Sequence, residues 1–211
     1  MLFLSLLALV SISPAVAQMT KVGQITEFGP LTGALLNTII KGPDGALWFT
    51  EQGDGQPGTS KIGRITTTGH ISEFTDPVSL GSMVNLTTGP DGNIWLTESS
   101  GSFFTNDLVC RIGRVTPAGQ ISEFVLSPKN TCAGNIVSGP DGAVWFTAYT
   151  TLTRSSFVSK IGRITTSGQI SLFPTPTVQS GASNIVAGPD RNLWFTEPKN
   201  GIGNIGRITT Q

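Results

Sequence analysis

The chain has 211 residues, 13 basic and 13 acidic side chains, and a formal net charge of zero. Only 12% of residues are charged, against about 25% in an average domain, while glycine reaches 26 residues and proline 13. A neutral chain has no basic excess to attract a phosphate backbone, so nucleic acid is not an expected partner. One histidine and two cysteines exclude zinc clusters and disulfide-dense scaffolds. Such a composition suits many short strands joined by tight turns.

Residues 1–10, MLFLSLLALV, are apolar, and Ala15 and Ala17 flank Val16 in a small-x-small cleavage pattern. This predicts a signal peptide over 1–17 and a mature domain over 18–211. The apolar run is too short to span a bilayer as a stable helix, so no stable membrane insertion is expected after cleavage. The expected location is secreted or periplasmic. An isolated strand-like segment, QITEF, follows at 24–28.

From there the chain repeats. Gly-Pro-Asp motifs begin at Gly42, Gly89, Gly139 and Gly188, at intervals of 47, 50 and 49 residues. Six residues after each glycine comes a tryptophan: Trp48, Trp95, Trp145 and Trp194. Next come KIGRITTTGHISEF (61–74), RIGRVTPAGQISEF (111–124), KIGRITTSGQISLF (160–173) and the shorter NIGRITTQ (204–211). All variation in period falls in one segment, between the WFTE position and KIGR. A repeat of 40–50 residues containing four strand-sized pieces marks propeller blades.

The expected fold is therefore all-β: a β-propeller of four-stranded antiparallel blades centred on 38–74, 85–124, 135–173 and 184–211. In each, the first strand meets a Gly-Pro-Asp-Gly turn, in which proline fixes one φ and glycine accepts a positive one. Arg191 replaces that glycine in the fourth copy. The tryptophans are expected to pack between blades. The arginines Arg64, Arg114, Arg163 and Arg207 are read as structural, either as outer-edge charges or as inter-blade donors. If the ring closes, 24–28 would complete the last blade and hide two strand edges. If it stays an open arc, self-association through those edges is expected.

The blade text GPDGALWFTE…KIGRITTTGHISEF resembles the streptogramin B lyase (virginiamycin B lyase) family over residues 22–211. The resemblance implies a seven-bladed propeller, so four blades make either a fragment or a reduced relative. It also implies a carbon–oxygen lyase that opens the ester-closed ring of a cyclic depsipeptide by elimination. In that chemistry a histidine is the base and carboxylates hold Mg²⁺. Carried over, the histidine column falls on Asn37, Val84, Gly134 and Ser183, and the glutamate column on Glu51, Glu98, Ala148 and Glu197. No copy has histidine, and none of these residues supplies a base that titrates near neutrality.

The remaining candidates come from the repeat phase. His70 begins a fourth strand where the other copies have Gln120 and Gln169, which reads as a solvated turn on the face opposite the variable loops. Glu51, Glu98 and Glu197 end second strands. With Thr38, Asn85, Asn135 and Asn184 they could ring a polar mouth and hold Mg²⁺ or Ca²⁺, or each could pair with Lys61, Arg111 or a neighbouring blade. Phe103, Phe104, Tyr149 and Phe157 lie on variable loops, either as ligand contacts or as loop anchors. Cys110 and Cys132 lie on connections emerging at one face between adjacent blades, where a disulfide is plausible in an oxidising compartment.

The reading is an exported lyase-like propeller that binds a small or peptidic ligand on the variable-loop face, with no catalysis assigned. A Mg²⁺-dependent streptogramin B-type lyase and a structural or protein-recognition propeller are the alternatives.

Overall fold

A computed structural model describes residues 22–31, 35–53, 59–75, 82–101, 108–177, 179–199 and 201–211. The predicted signal peptide, Phe103 and Phe104 lie outside the described residues. The chain divides after Pro30 into two compact units. Within the first, residues 24–30 carry no strand and are exposed.

The second unit, Leu31–Gln211, contains four antiparallel sheets and no helix among its described residues. Accordingly, none of those residues forms a helix long and apolar enough to cross a membrane. The first sheet is a meander of β1 (Leu35–Lys41), β2 (Leu47–Gln52), β3 (Lys61–Ile65) and β4 (Ile71–Thr75). The second repeats it with β5 (Ser82–Thr88), β6 (Ile94–Ser100), β7 (Val109–Val115) and β8 (Ile121–Val125). The third uses β9 (Thr131–Ser138), β10 (Val144–Thr153), β11 (Ser156–Ile164) and β12 (Ile170–Pro174). The fourth has only β13 (Ile185–Ala187), β14 (Leu193–Lys199) and β15 (Ile202–Ile208). The closing strand envisaged at 24–28 is thus not formed in this structure.

The second and third blades bury side chains on both faces because each packs against a neighbour on either side. Trp48 packs with Leu86, Ile94 and Leu96 of the second blade. Trp95 packs with Ile136, Val144 and Phe146 of the third, and Trp145 with Ile185, Leu193 and Phe195 of the fourth. The first three tryptophans are at most 2% exposed. Trp194, with no following blade, is only half-buried. The expectation that this column forms the inter-blade core therefore holds for three copies. At the ends of the arc the corresponding faces leave Ile39, Leu47, Val186 and Ile205 exposed.

One local device recurs in every blade. The turn aspartate accepts a hydrogen bond from the indole four residues later: Trp48 to Asp44 at 3.0 Å, Trp95 to Asp91 at 2.9 Å, Trp145 to Asp141 at 2.8 Å and Trp194 to Asp190 at 3.0 Å. This draws the ring over the glycine that opens the motif. A Cβ on Gly42 would lie 2.2 Å from Trp48 Cδ1, so only glycine fits there. The arginine column then closes the clasp from the third strand, with Arg64 Nε 2.5 Å from Asp44 and Arg163 Nε 2.7 Å from Asp141. Arg114 departs from this and donates to the Thr166 carbonyl in the next blade at 2.9 Å. Of the two roles weighed for this column, Arg114 takes that of inter-blade donor, while the clasp to the turn aspartate of the same blade is a third one.

Candidate functional site

The innermost strands β1, β5 and β9 each carry a β-bulge, around Asn37, Val84 and Gly134. Bulges re-aim side chains and often flank active sites. These are the positions to which the resemblance carries the histidine column, so the fold supplies the place but the sequence supplies no imidazole. Asn37 instead donates to the Val84 carbonyl of the next blade at 3.2 Å. The polar residues beside the bulges also bond between blades. The Asn85 amide donates to Asn135 Oδ1, and the Asn135 amide to Asn184 Oδ1 at 3.1 Å. Thr38 Oγ1 donates to the Val84 carbonyl at 3.4 Å. The expected polar mouth is thus a hydrogen-bonded ladder that ties inner strands together.

The glutamate column ends the second strands, beside the variable segments, and is buried. Glu51, Glu98 and Glu197 are 1%, 2% and 4% exposed. They share the sheet face of Phe49, Leu96 and Phe195, and each meets a cross-strand neighbour: Lys61, Arg111 and Asn204 respectively. Lys61 Nζ lies 2.6 Å from Glu73 of β4, and Arg111 Nε 3.4 Å from Glu123 of β8. Two blades therefore carry an acid–base–acid row across strands two, three and four. Burial, reinforced by the Glu73 carboxylate, pushes the Glu51 carboxyl above its usual range, with Lys61 opposing. Neither Glu51 oxygen has a hydrogen-bond partner among the described residues. Glu197 Oε1 accepts from Ser180 Oγ at 2.7 Å.

These positions do not fit a divalent-cation site. The carboxylates point at separate partners, and among the described residues no group of three or more His, Cys, Asp or Glu side chains is placed to hold a metal. The turn aspartates do not help, because each carboxylate accepts from an indole and from a second side chain, a guanidinium at Asp44 and Asp141 and the Asn93 amide at Asp91. Burial opposes ionisation of Asp44, but the Trp48, Arg64 and Ala46 donors outweigh it and hold the carboxyl below its ordinary range. The Asn192 and Trp194 side chains bring Asp190 down to about 2.

The third blade breaks the acidic row. Ala148 replaces the glutamate of strand two and Leu172 that of strand four. Ala148 and Ala133 pack against Cys110 and Cys132, which form a disulfide between β7 and β9. Alanine buries in that apolar cluster without the desolvation cost of a carboxylate, although Lys160 still stands opposite it across the strand pair. Lys160, left without the blade's two carboxylates, donates to Thr150 Oγ1 at 2.8 Å.

The same blade is distinguished by its second hairpin. β10 and β11 pair out to Thr153 and Ser156, with one register irregularity between Thr151 and Thr153, well beyond the corresponding hairpin of the first blade. The extension brings together two of the four aromatic residues singled out from the sequence. Tyr149 and Phe157 meet edge to face at 6.2 Å. They line one wall of a groove of about 640 Å³ with Thr151 and Arg154, while Gly181 to Ser183, leading into the fourth blade, form the other wall. Tyr149 is 42% exposed and Phe157 half-buried, so the aromatic pair faces open space. The length of this hairpin was not legible in the sequence, where 149–159 read only as a variable loop. His70 is exposed at the β3–β4 turn, at the opposite end of the meander from the groove.

Four successive antiparallel meanders, joined face to face by a tryptophan column and at their inner strands by an amide ladder, define a β-propeller-type protein. The sequence profile of the Virginiamycin B lyase family matches residues 11–211, and the chain belongs to that family. Selenomethionine-substituted virginiamycin B lyase from Staphylococcus aureus is 35% identical, with a TM-score of 0.67 over 91% of this chain and 61% of that one. A streptogramin B lyase structure is 30% identical, with a TM-score of 0.61 over 88% of this chain and 58% of that one. The chain thus spans about three-fifths of the length of these two relatives. A luciferin-regenerating enzyme, 13% identical with a TM-score of 0.53 over 85% of this chain and 62% of that one, shares the fold alone. No match was found among curated proteins.

Proposed function

We propose that this chain is an exported member of the family that binds a small or peptidic ligand in the groove between its third and fourth blades, without lyase chemistry of its own. The observation that carries the reading is the Tyr149–Phe157 edge-to-face pair, held open to solvent on an extended hairpin above a groove of about 640 Å³. Two rigid aromatic rings offer large contact area at low entropic cost, a frequent property of ligand sites. Hydroxyls and backbone groups along the walls supply hydrogen bonds for a peptide-like or ring-containing ligand. Export is supported by the leader-like residues 1–17 and by the Cys110–Cys132 disulfide, a bond that persists in oxidising compartments. The absence of a lyase step rests on the bulge positions Asn37, Val84 and Gly134 and on the equivalent Ser183, none of which offers a base titrating near neutrality.

The test uses a streptogramin B depsipeptide as probe, with the purified chain and Mg²⁺. Binding is expected to be seen by calorimetry, to weaken in Tyr149→Ala and Phe157→Ala, and to leave the ester ring intact by mass spectrometry. Ring opening that stops on adding chelator would overturn the non-catalytic reading. Affinity unchanged in both variants would overturn the groove as the site.

A further inference from the structure

We infer that a second copy of this chain docks head to tail on the first, the outer face of its first blade covering the outer face of the fourth, so that two copies close one ring. The inference goes beyond the ligand groove and does not depend on it. The joints inside the chain show what each outer face is built to meet.

The three joints between successive blades use the same positions. One blade presents its tryptophan together with an isoleucine of its third strand, Ile62, Ile112 or Ile161. The next blade receives them on Leu86, Ile136 or Ile185 of its first strand and on Ile94, Val144 or Leu193 of its second. None of these residues is more than 9% exposed. The fourth blade repeats the presenting set, with Val186, Trp194 and Ile205 on one sheet face, yet Ile205 is 67% exposed. The first blade repeats the receiving set, with Ile39 and Leu47 on the face of Phe49, yet they are 61% and 39% exposed. Among the described residues, one end of the arc therefore carries a presenting face without its receiver, and the other a receiving face without its presenter. A second copy supplies both.

The polar part of the joint matches as well. At each joint one backbone carbonyl at the start of the receiving blade accepts from the presenting blade. Val84 accepts from Asn37 and Thr38, Gly134 from Thr97 at 2.7 Å, and Ser183 from Thr147 at 3.0 Å. By repeat phase the corresponding acceptor of the first blade is the Asn37 carbonyl, and the corresponding donors of the fourth are Asn184 and Thr196. Thr50, Thr97 and Thr147 are buried, whereas Thr196 is only half-buried. A hydroxyl buried in a joint needs an acceptor, and the second copy brings one.

Under a two-fold axis the head of each copy meets the tail of the other, which gives two identical joints and leaves neither face open. Four sheets from each copy make an eight-bladed ring, a size that propellers adopt. Docking between copies costs translational and rotational freedom that the covalent chain removes for the internal joints. The association is therefore weak, and stability measured on dilute protein reads the single copy.

The experiment is sedimentation equilibrium of the full chain over a range of concentration. The mass is expected to be that of one chain below about 5 µM and to approach that of two near about 500 µM, the regime of a weak interface. Ile39→Asp and Ile205→Asp each put a charge on one exposed face, with circular dichroism checking that the fold is kept, and Val186→Asp serves as a second tail variant. Each variant alone should stay at the mass of one chain throughout. An equimolar mixture of Ile39→Asp and Ile205→Asp should associate again, more weakly than the parent, because the intact tail of the first and the intact head of the second form one unaltered joint. The mass of one chain at every concentration would overturn the inference. A pair that survives Ile39→Asp or both tail variants, or a mixture no more associated than its components, would overturn the head-to-tail joint. Assemblies larger than two would overturn the closed ring.

Discussion

The inter-blade role of the tryptophan column can be tested inside one molecule, because the fourth copy lacks the neighbour that the other three have. Trp95 is fully buried, stacks on Phe124 at 5.7 Å, lies under the Arg114 guanidinium at 5.6 Å and donates to Asp91. Trp194 keeps two of these contacts within its own blade, with Arg207 at 5.6 Å and Asp190 at 3.0 Å, but its three-stranded sheet offers no counterpart of the Phe124 stack and it is only half-buried. Replacing a buried tryptophan by alanine costs about 3–5 kcal/mol in lost transfer energy and cavity formation. Trp95→Ala is expected in that range, which lowers Tm by roughly 6–20 °C for a domain of this size. Trp194→Ala is expected to cost about 1–2 kcal/mol, since less apolar surface returns to water and no facing blade is left with a void. The assay is urea denaturation followed by far-ultraviolet circular dichroism, with both variants and the parent compared at matched m-values. Equal losses for the two variants would refute the argument. They would mean that the tryptophans stabilise through the aspartate clasp of their own blade and not through the neighbour.

Two further outcomes follow from particular positions. Glu51 is buried and its carboxyl is held above its usual range by that burial and by the Glu73 carboxylate, so the folded state takes up its proton more readily than the unfolded chain. Its contribution is then present below the unfolded pKa and is lost as pH rises through the folded one. Glu51→Gln should match the parent near pH 4 and exceed it by about 1 kcal/mol at pH 7 in the same denaturation assay. A parent more stable than the variant at pH 7 would show that the Lys61 contact dominates. Arg191 adopts φ of 61° where the sister turns have glycine. Arg191→Gly should stabilise by up to about 1 kcal/mol, because a left-handed conformation strains a residue with a Cβ more than it strains glycine. No rise in the urea midpoint would place the relief elsewhere, for instance in the hydrogen bond from Thr210 to the Arg191 carbonyl.

Much of the architecture was legible because the repeat states it four times. The fixed spacing from Gly42 to Trp48 is needed for the indole to cover the glycine and reach Asp44, so it recurs unchanged. Cys110 and Cys132 could be paired in advance because repeat phase places both at one end of adjacent blades. The direction of Glu51, Glu98 and Glu197 was not legible. A glutamate at a strand end reads as a mouth residue until the sheet stacking puts Glu98 and Glu197 on faces turned to a neighbouring blade, and cross-strand pairing buries Glu51 beside Lys61. The aspartate–arginine clasp was also hidden, because its partners lie 20 residues apart in sequence in the first blade and meet only through the pairing of Trp48 with Arg64.

The sequence by itself determined the strand period, the turn chemistry and the family, since these depend on local spacing and on residues that any blade must repeat. Tertiary structure alone decided what the non-repeated residues do. Whether 149–159 is a loose loop or a long hairpin depends on cross-strand pairing, and whether a buried carboxylate meets a cation or a void depends on the adjoining blade. The neutral, weakly charged composition takes its meaning from the same source. Most of the framework is buried between blades, where ionised side chains are costly unless paired. Much of the charge among the described residues is therefore in clasps and cross-strand rows, and Arg154 is the one charged side chain among those lining the groove.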